Sequence, residues 1–279
     1  MTNDKIQFTK EKETMLMTLS GRATQSQWKN PILHDPWAEE AMRHIDYDMS
    51  KQLTGVASWS LWKDIGPTII ATRAATFDLL TNRFLADHPD AVILQVGCGM
   101  DSRVFRVDQH ASVQWFDVDY PDVIELRRQL FPERGAAYHL IGAPLSDLRW
   151  LDEVPRDRPG LLIAEGVLHY LSETVVKTLL NAVVAHFPGG QMIFDICNSF
   201  IVKRAGSNVG GTGATYKWGL DDPQDIKQLE PKLELIKEFK PSEQVAFSRF
   251  PLWWRALYRA QEANLTLRRM ERIIVYQYY

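Results

Sequence analysis

Nine residues, Gln95-Val96-Gly97-Cys98-Gly99-Met100-Asp101-Ser102-Arg103, constrain the fold of this chain more than any others. They follow an apolar run, Ala91-Val92-Ile93-Leu94. A second apolar run, Val113 to Asp119, comes after them and ends in two acids, Asp117 and Asp119. Strand, glycine turn, helix, strand, acid is the local grammar of a nucleotide-binding α/β unit. Glycine lets the backbone turn tightly and approach a ligand closely. The question the rest of the sequence must answer is which nucleotide.

The bulk properties narrow the class. The 279 residues, 45% hydrophobic and 11% aromatic, suit one large α/β domain spanning 1–279. A net charge of -3 offers no basic footprint for nucleic acid. The two cysteines, Cys98 and Cys197, are far apart and have no clustered Cys or His, which argues against a zinc site or a disulfide framework; no metal is expected. Met1 to Lys10 is polar with mixed charges, unlike a signal peptide. No apolar run approaches the roughly 20 residues a membrane span needs. A cytoplasmic protein with no membrane partner is expected.

Along the chain, residues 1–60 read as a helical cap outside the central unit. Asp35-Pro36 marks a helix start, with Trp37, Ala38, Ala41, Met42 and Ile45 at helical spacing. Trp59 and Trp62 either pack in the core or line a cavity. A helix is predicted from about Pro67 to Asp87, with Ile69, Phe77, Leu80 and Phe84 on one apolar stripe. Arg73 falls on that stripe. An arginine facing a core is costly unless an anion meets it, so Arg73 is either a structural ion pair or a guanidinium fork for a ligand carboxylate.

Strands are predicted at 91–96, 113–118, 138–141, 161–164 and 191–196, with helices at 103–107, from Pro121 to Leu130, and from Ser172 to Phe187. The fourth run is apolar throughout, as a buried parallel strand should be. Residues 197–230, rich in glycine (Gly206, Gly210, Gly211, Gly213), form a long insert that is either a lid or an ordinary surface loop. A sixth strand near Leu233–Phe239, a helix Pro251–Ala263 and an alternating last strand Arg272–Tyr278 complete the pattern.

The turn is not G-x-G-x-x-G. Ser102 stands where the third glycine of a dinucleotide site would be, and Asp101 would repel a pyrophosphate. S-adenosylmethionine, with an ammonium, a sulfonium, a carboxylate and a ribose, fits better. Gly97 and Gly99 would allow close backbone approach, Asp119 would take the ribose hydroxyls, and Arg73 the carboxylate. Glu165, at the end of the fourth strand, would face the amino group or the transfer region. Taken singly, Asp119 also reads as an acid serving the Pro121 helix, and Glu165 as a turn acid.

These segments resemble the leucine carboxyl methyltransferase family, in particular its bacterial branch similar to polyketide carboxyl O-methyltransferases. Gly97 to Arg103 matches the form G-x-G-[LM]-D-[ST]-R. Phe116-Asp117-Val118-Asp119-Tyr120-Pro121 matches [ED]-V-D-x-P, and Ala164-Glu165-Gly166-Val167-Leu168-His169-Tyr170 matches A-E-G-V-L-x-Y. The resemblance covers nearly the whole chain. It implies a Rossmann-like class I methyltransferase fold: a seven-stranded, mostly parallel sheet with an antiparallel last strand. It also implies S-adenosylmethionine as donor and an oxygen acceptor, often a carboxylate. Where the family often has Asp-Leu for the adenine, this chain has Pro144-Leu145. Leu145 and Asp147 are the residues carried over to that contact, and Arg22 the basic residue that closes over the site.

A carboxylate acceptor needs no general base, whereas a hydroxyl does. His169 and Tyr170 are the candidates for that role, with a structural role the alternative for the histidine. Tyr216 and Trp218 in the insert, together with the N-terminal helices, are expected to shape the acceptor pocket. The nine tryptophans lean towards a closed, aromatic-rich cavity for a small polyketide-like acceptor rather than an open mouth for a protein tail. Two other readings remain at this stage: an NAD-dependent dehydrogenase, against which Ser102 and Asp101 argue, and a non-catalytic methyltransferase-like binding protein.

Overall fold

A computed structural model describes residues 11–45, 59–205, 214–264 and 267–279, the side chains of 11–13 and 59–64 excepted. Among the described residues, three helices precede the sheet: α1 (Glu11–Ser26), α2 (Pro36–Arg43) and α3 (Trp59–Asp87). Asp35 caps α2 by accepting from the Ala38 N–H. α3 begins earlier than the expected start at Pro67, which lies inside it. The residue before a proline is normally pushed out of the helical region by its own Cβ. Here that residue is Gly66, which has none, and the helix runs through. The side chains of Trp59 and Trp62, and Gly206, Gly210, Gly211 and Gly213, lie outside the described residues.

The apolar run before the glycine turn becomes β1 (Val92–Val96), buried at every position. The chain continues through α4 (Arg103–Arg106), β2 (Gln114–Asp119), α5 (Pro121–Leu130), β3 (Tyr138–Gly142), β4 (Gly160–Ala164), α6 (Glu173–His186), β5 (Gly190–Ile196), α7 (Ser199–Ala205), β6 (Glu234–Phe239), α8 (Leu252–Ala263) and β7 (Arg272–Tyr278). The sheet order is β3-β2-β1-β4-β5-β7-β6. Strands β1 to β5 pair in parallel, and β7 runs antiparallel to both β5 and β6.

Strand periodicity assigns the two faces. Val92, Leu94, Phe116, Leu162 and Phe194 face one layer, which includes Val176, Leu179, Leu180 and Val183 of α6. Ile93, Trp115, Leu161, Ile163 and Ile193 face the other, against Phe77, Leu80 and Phe84 of α3. Each such side chain contributes about 1.5–3 kcal/mol on burial, so the α3 stripe anchors that helix firmly beneath β1. The cap packs separately: Leu16 and Leu19 of α1 and Ala38 and Ala41 of α2 meet Met100, Val123 and Leu126. This lays α1 across the glycine turn. Connections wind one way to β3 and the other way from β4, so the strand order reverses beside β1. A ligand crevice is expected at the carboxyl ends of the strands there. Among the described residues, no helix is long and apolar enough to cross a membrane.

Candidate active site

The crevice is present. A cavity of about 330 Å³ opens over the carboxyl ends of β1 to β4, roofed by α1. That is within the usual range of about 300–1,000 Å³ for small-ligand sites. Its floor is the glycine turn. Gly97 and Gly99 have φ of +58° and +47°, a region open to glycine at little cost. A Cβ at Gly97 would lie 2.4 Å from Cγ2 of Val167, and one at Gly99 3.0 Å from Cγ of Met15. The Gly97 N–H donates to the Val118 carbonyl at 2.7 Å, tying the turn to β2.

Asp119 stands at the end of β2 in the cavity wall. Its Oδ2 accepts from the Gly99 N–H at 2.8 Å and its Oδ1 from the Tyr120 N–H at 2.7 Å. Burial pushes its carboxyl above the ordinary value against these two hydrogen bonds. A carboxylate oxygen has more than one lone pair, so the group retains acceptor capacity towards the cavity.

Asp101 also touches the cavity, but its charge is not offered to a ligand. It accepts from Gln95 at 2.8 Å and pairs with Arg103 at 2.7 Å and Arg106 at 3.0 Å. Burial raises its pKa, yet the guanidinium groups of Arg103 and Arg106 hold the carboxyl well below the usual range. Asp101 thus lines the cavity with its charge already paired to Arg103 and Arg106, two and five residues further along the chain.

Arg73 is the ion pair of its first sequence reading, and it also lines the cavity, which it reaches from α3. Nε donates to Glu165 at 2.9 Å and Nη1 to Asp195 at 3.0 Å, with Glu271 at 3.9 Å. Despite the cost of burial, these acids raise its pKa. Its Nη2 edge faces Gly166. Glu165 is held from its other oxygen by Arg103 at 2.6 Å. It braces two arginines while lining the cavity. Arg22 of α1 lines the cavity from above, donating to Asp35 at 3.1 Å and to the Met100 carbonyl at 2.5 Å. Asp35 in turn accepts from Ser102 at 2.6 Å, so the cap is fastened to the turn it covers.

Leu145 lies on the cavity wall with Ala143, Pro144 and Ser146. Asp147 does not. It turns outward, caps the short turn Leu148–Glu153 and pairs with Arg149 at 2.5 Å. Arg149 lowers its pKa to about 2.

Tyr170 lines the cavity, and its hydroxyl bonds Thr14 and Tyr216. His169 lies behind it, 4.4 Å from the Tyr170 and Tyr216 rings, and lines a second cavity of about 310 Å³. Burial first, and the Arg73 charge second, lower its pKa to about 3, which makes it a feeble acceptor of a proton near neutrality. Tyr216 lines the second cavity also. Trp218 is corrected: it is buried with Leu220 and Ile226 in the main core and lines neither cavity. Its backbone N–H and that of Lys217 donate to the His169 carbonyl, pinning the insert there. Among the described residues, no tryptophan lines the first cavity. Sequence reasoning missed Asp195, although it lies next to the end of β5 much as Asp119 ends β2 and Glu165 follows β4. It also missed Thr14, Met15 and Thr18, whose part depends on where α1 docks.

Comparisons with known proteins identify relatives of the chain. Residues 15–184 match the family model for leucine carboxyl methyltransferase. The chain is 42% identical over 236 residues to the tetracenomycin polyketide synthesis O-methyltransferase TcmP of Streptomyces glaucescens, covering 84% of each chain. It is 32% identical over 249 residues to the S-adenosyl-L-methionine-dependent methyltransferase dpfgK of Gibberella zeae, covering 82% of each. Among solved structures, a putative methyltransferase from Thermobifida fusca YX superposes with a TM-score of 0.51 at 14% identity, covering 92% of this chain and 94% of that one.

Proposed function

The chain belongs to the leucine carboxyl methyltransferase family and is an S-adenosylmethionine-dependent O-methyltransferase. On that premise we propose that the first cavity holds the donor and that the acceptor is a small, polyketide-like molecule methylated on a carboxylate or hydroxyl oxygen. The 42% identical relative is named for polyketide synthesis, which supports the acceptor class. The observation that carries the donor site is the meeting in one cavity of the glycine turn, Asp119 and Arg73.

The residues fit the donor. The Gly97–Gly99 backbone takes it without a Cβ in the way. Asp119 accepts from the ribose hydroxyls with the acceptor capacity its two backbone bonds leave. The Nη2 edge of Arg73 receives the carboxylate, and Leu145 lies along the adenine. When bound, the donor supplies an electrophilic methyl group on a sulfonium. The protein's part is alignment and exclusion of water. Arg22 and α1 close the roof, while the Arg103–Glu165–Arg73 chain fixes the fork. A carboxylate acceptor needs no base here, in keeping with the low basicity of His169.

Calorimetric titration with S-adenosylmethionine and with NAD tests the donor site; tight NAD binding without S-adenosylmethionine binding would overturn it. A labelled-methyl assay against small acids and phenols tests turnover, and transfer to none of them would refute the acceptor class.

A further inference from the structure

The second cavity adjoins the proposed donor site. It opens on the same edge of the sheet, at the carboxyl end of β5 (Asp195, Cys197) and the start of β7 (Glu271), beside the strands that hold the first cavity. Arg73 lines both. So does one contiguous group of rings. Tyr170 faces the first cavity and packs against His169 and Tyr216, at 4.4 and 5.2 Å, and these two face the second. The partition between the two spaces is thus a guanidinium and a few aromatic rings.

The walls have a distinct chemistry. His169 and Tyr216 stand on one side, edge to face with centroids 4.4 Å apart. Trp254 and Tyr258 of α8 stand on the other, with centroids 5.6 Å apart and planes at 86°. The charged groups of the lining cluster together: Arg73 and Asp195 pair at 3.0 Å and Glu271 sits 3.9 Å from the same guanidinium, while α8 adds one polar side chain, Gln261. α8 is a 12-residue helix that buries none of its side chains fully, although Trp254, Leu257 and Tyr258 face this space. Rings and aliphatic groups left uncovered around a recess with one charged cluster describe a small-ligand site, and rings favour a flat partner that stacks or meets them edge-on.

We propose that the second cavity is the acceptor chamber and that it takes a planar aromatic acceptor. The body of that acceptor lies between Tyr216 and Trp254, and its methylatable oxygen passes Arg73 towards the donor. This rests on the methyltransferase reading above and replaces the expected pocket of Tyr216, Trp218 and N-terminal helices with one built by Tyr216 and α8. A carboxylate at the charged cluster would meet Arg73; a hydroxyl would meet Glu271.

The test uses the full chain with Trp254→Ala, which removes one wall, and Leu257→Trp, which narrows the chamber. The acceptor probes are 3-hydroxy-2-naphthoate, which carries both kinds of oxygen on fused rings, and cyclohexanecarboxylate. Donor affinity, measured calorimetrically, is the folding control. Wild type is expected to methylate the naphthoate in preference to the aliphatic acid. Each variant is expected to lose about tenfold or more in kcat/KM, through KM, with donor affinity unchanged within about twofold. An ester or an ether product distinguishes the two oxygens. Unchanged kcat/KM in both variants overturns the chamber. Equal use of the aliphatic acid, or no binding of the naphthoate to the product-nucleoside complex, overturns the aromatic class. Absence of donor binding by wild type would instead sink the methyltransferase reading on which the proposal stands.

Discussion

Arg73 is the residue whose replacement tests most at once. Arg73→Ala removes a guanidinium only 16% exposed that bonds Glu165 at 2.9 Å and Asp195 at 3.0 Å. Breaking a buried pair from one side costs about 3–5 kcal/mol. Both acids keep another donor: Glu165 keeps Arg103 at 2.6 Å, and Asp195 keeps the Gly166 N–H at 2.6 Å. The low end, about 3 kcal/mol, is therefore expected. For a chain of this size, at about 2–4 °C per kcal/mol, Tm of the donor-free protein falls by roughly 6–12 °C. Donor affinity, measured by calorimetry well below that Tm, falls separately. Loss of one partner of a desolvated charge pair costs about 2–5 kcal/mol, or roughly thirtyfold to several thousandfold. Arg73→Lys keeps the charge without the fork and recovers part of the stability but less of the affinity. A Tm within about 1 °C of wild type would refute the ion-pair account. Unchanged affinity in a folded variant would refute the carboxylate assignment, and the two can fail independently.

Asp119→Ala is expected to weaken donor binding by about 3 kcal/mol or more, since hydrogen bonds to a charged acceptor are each worth about 1.5–3 kcal/mol; unchanged affinity in titration would remove the ribose role. Asp147→Ala, by contrast, should leave donor affinity unaltered because the side chain points outward onto Arg149, and a large loss would restore it to the adenine site. His169 gives a pH signature. Its folded pKa of about 3 lies below its ordinary value, so the unfolded chain binds more protons between the two. Its stabilising contribution is full above the unfolded value of about 6.5 and is lost as pH falls towards 3, with a slope of up to about 1.4 kcal/mol per pH unit. Denaturant titrations of wild type and His169→Phe between pH 7 and 5 should show that slope reduced in the variant; parallel curves would mean the ring is solvated.

Much of the fold follows from short-range pattern. Apolar runs bounded by Gly97, Pro121 and Gly190 became strands and helices near their expected limits, because period and capping act within a few residues. Asp119 was legible for the same reason: it lies at a fixed distance along the chain from the turn it bonds. Arg73 was legible as an anomaly, a charge on an apolar stripe.

What the sequence alone determined is therefore the parallel unit, the glycine floor and the acid beside it, since each depends on neighbours in the chain. Tertiary structure decided the partners of the charges and the membership of the cavities. Arg73 meets Glu165 and Asp195 across 92 and 122 residues. Asp101 pairs with Arg103 and Arg106, and Trp218 goes to the core while Trp254 lines a wall. The physical reason is that a side chain's desolvation and pairing depend on which distant surface packs against it, and that surface exists only once the helices have docked on the sheet.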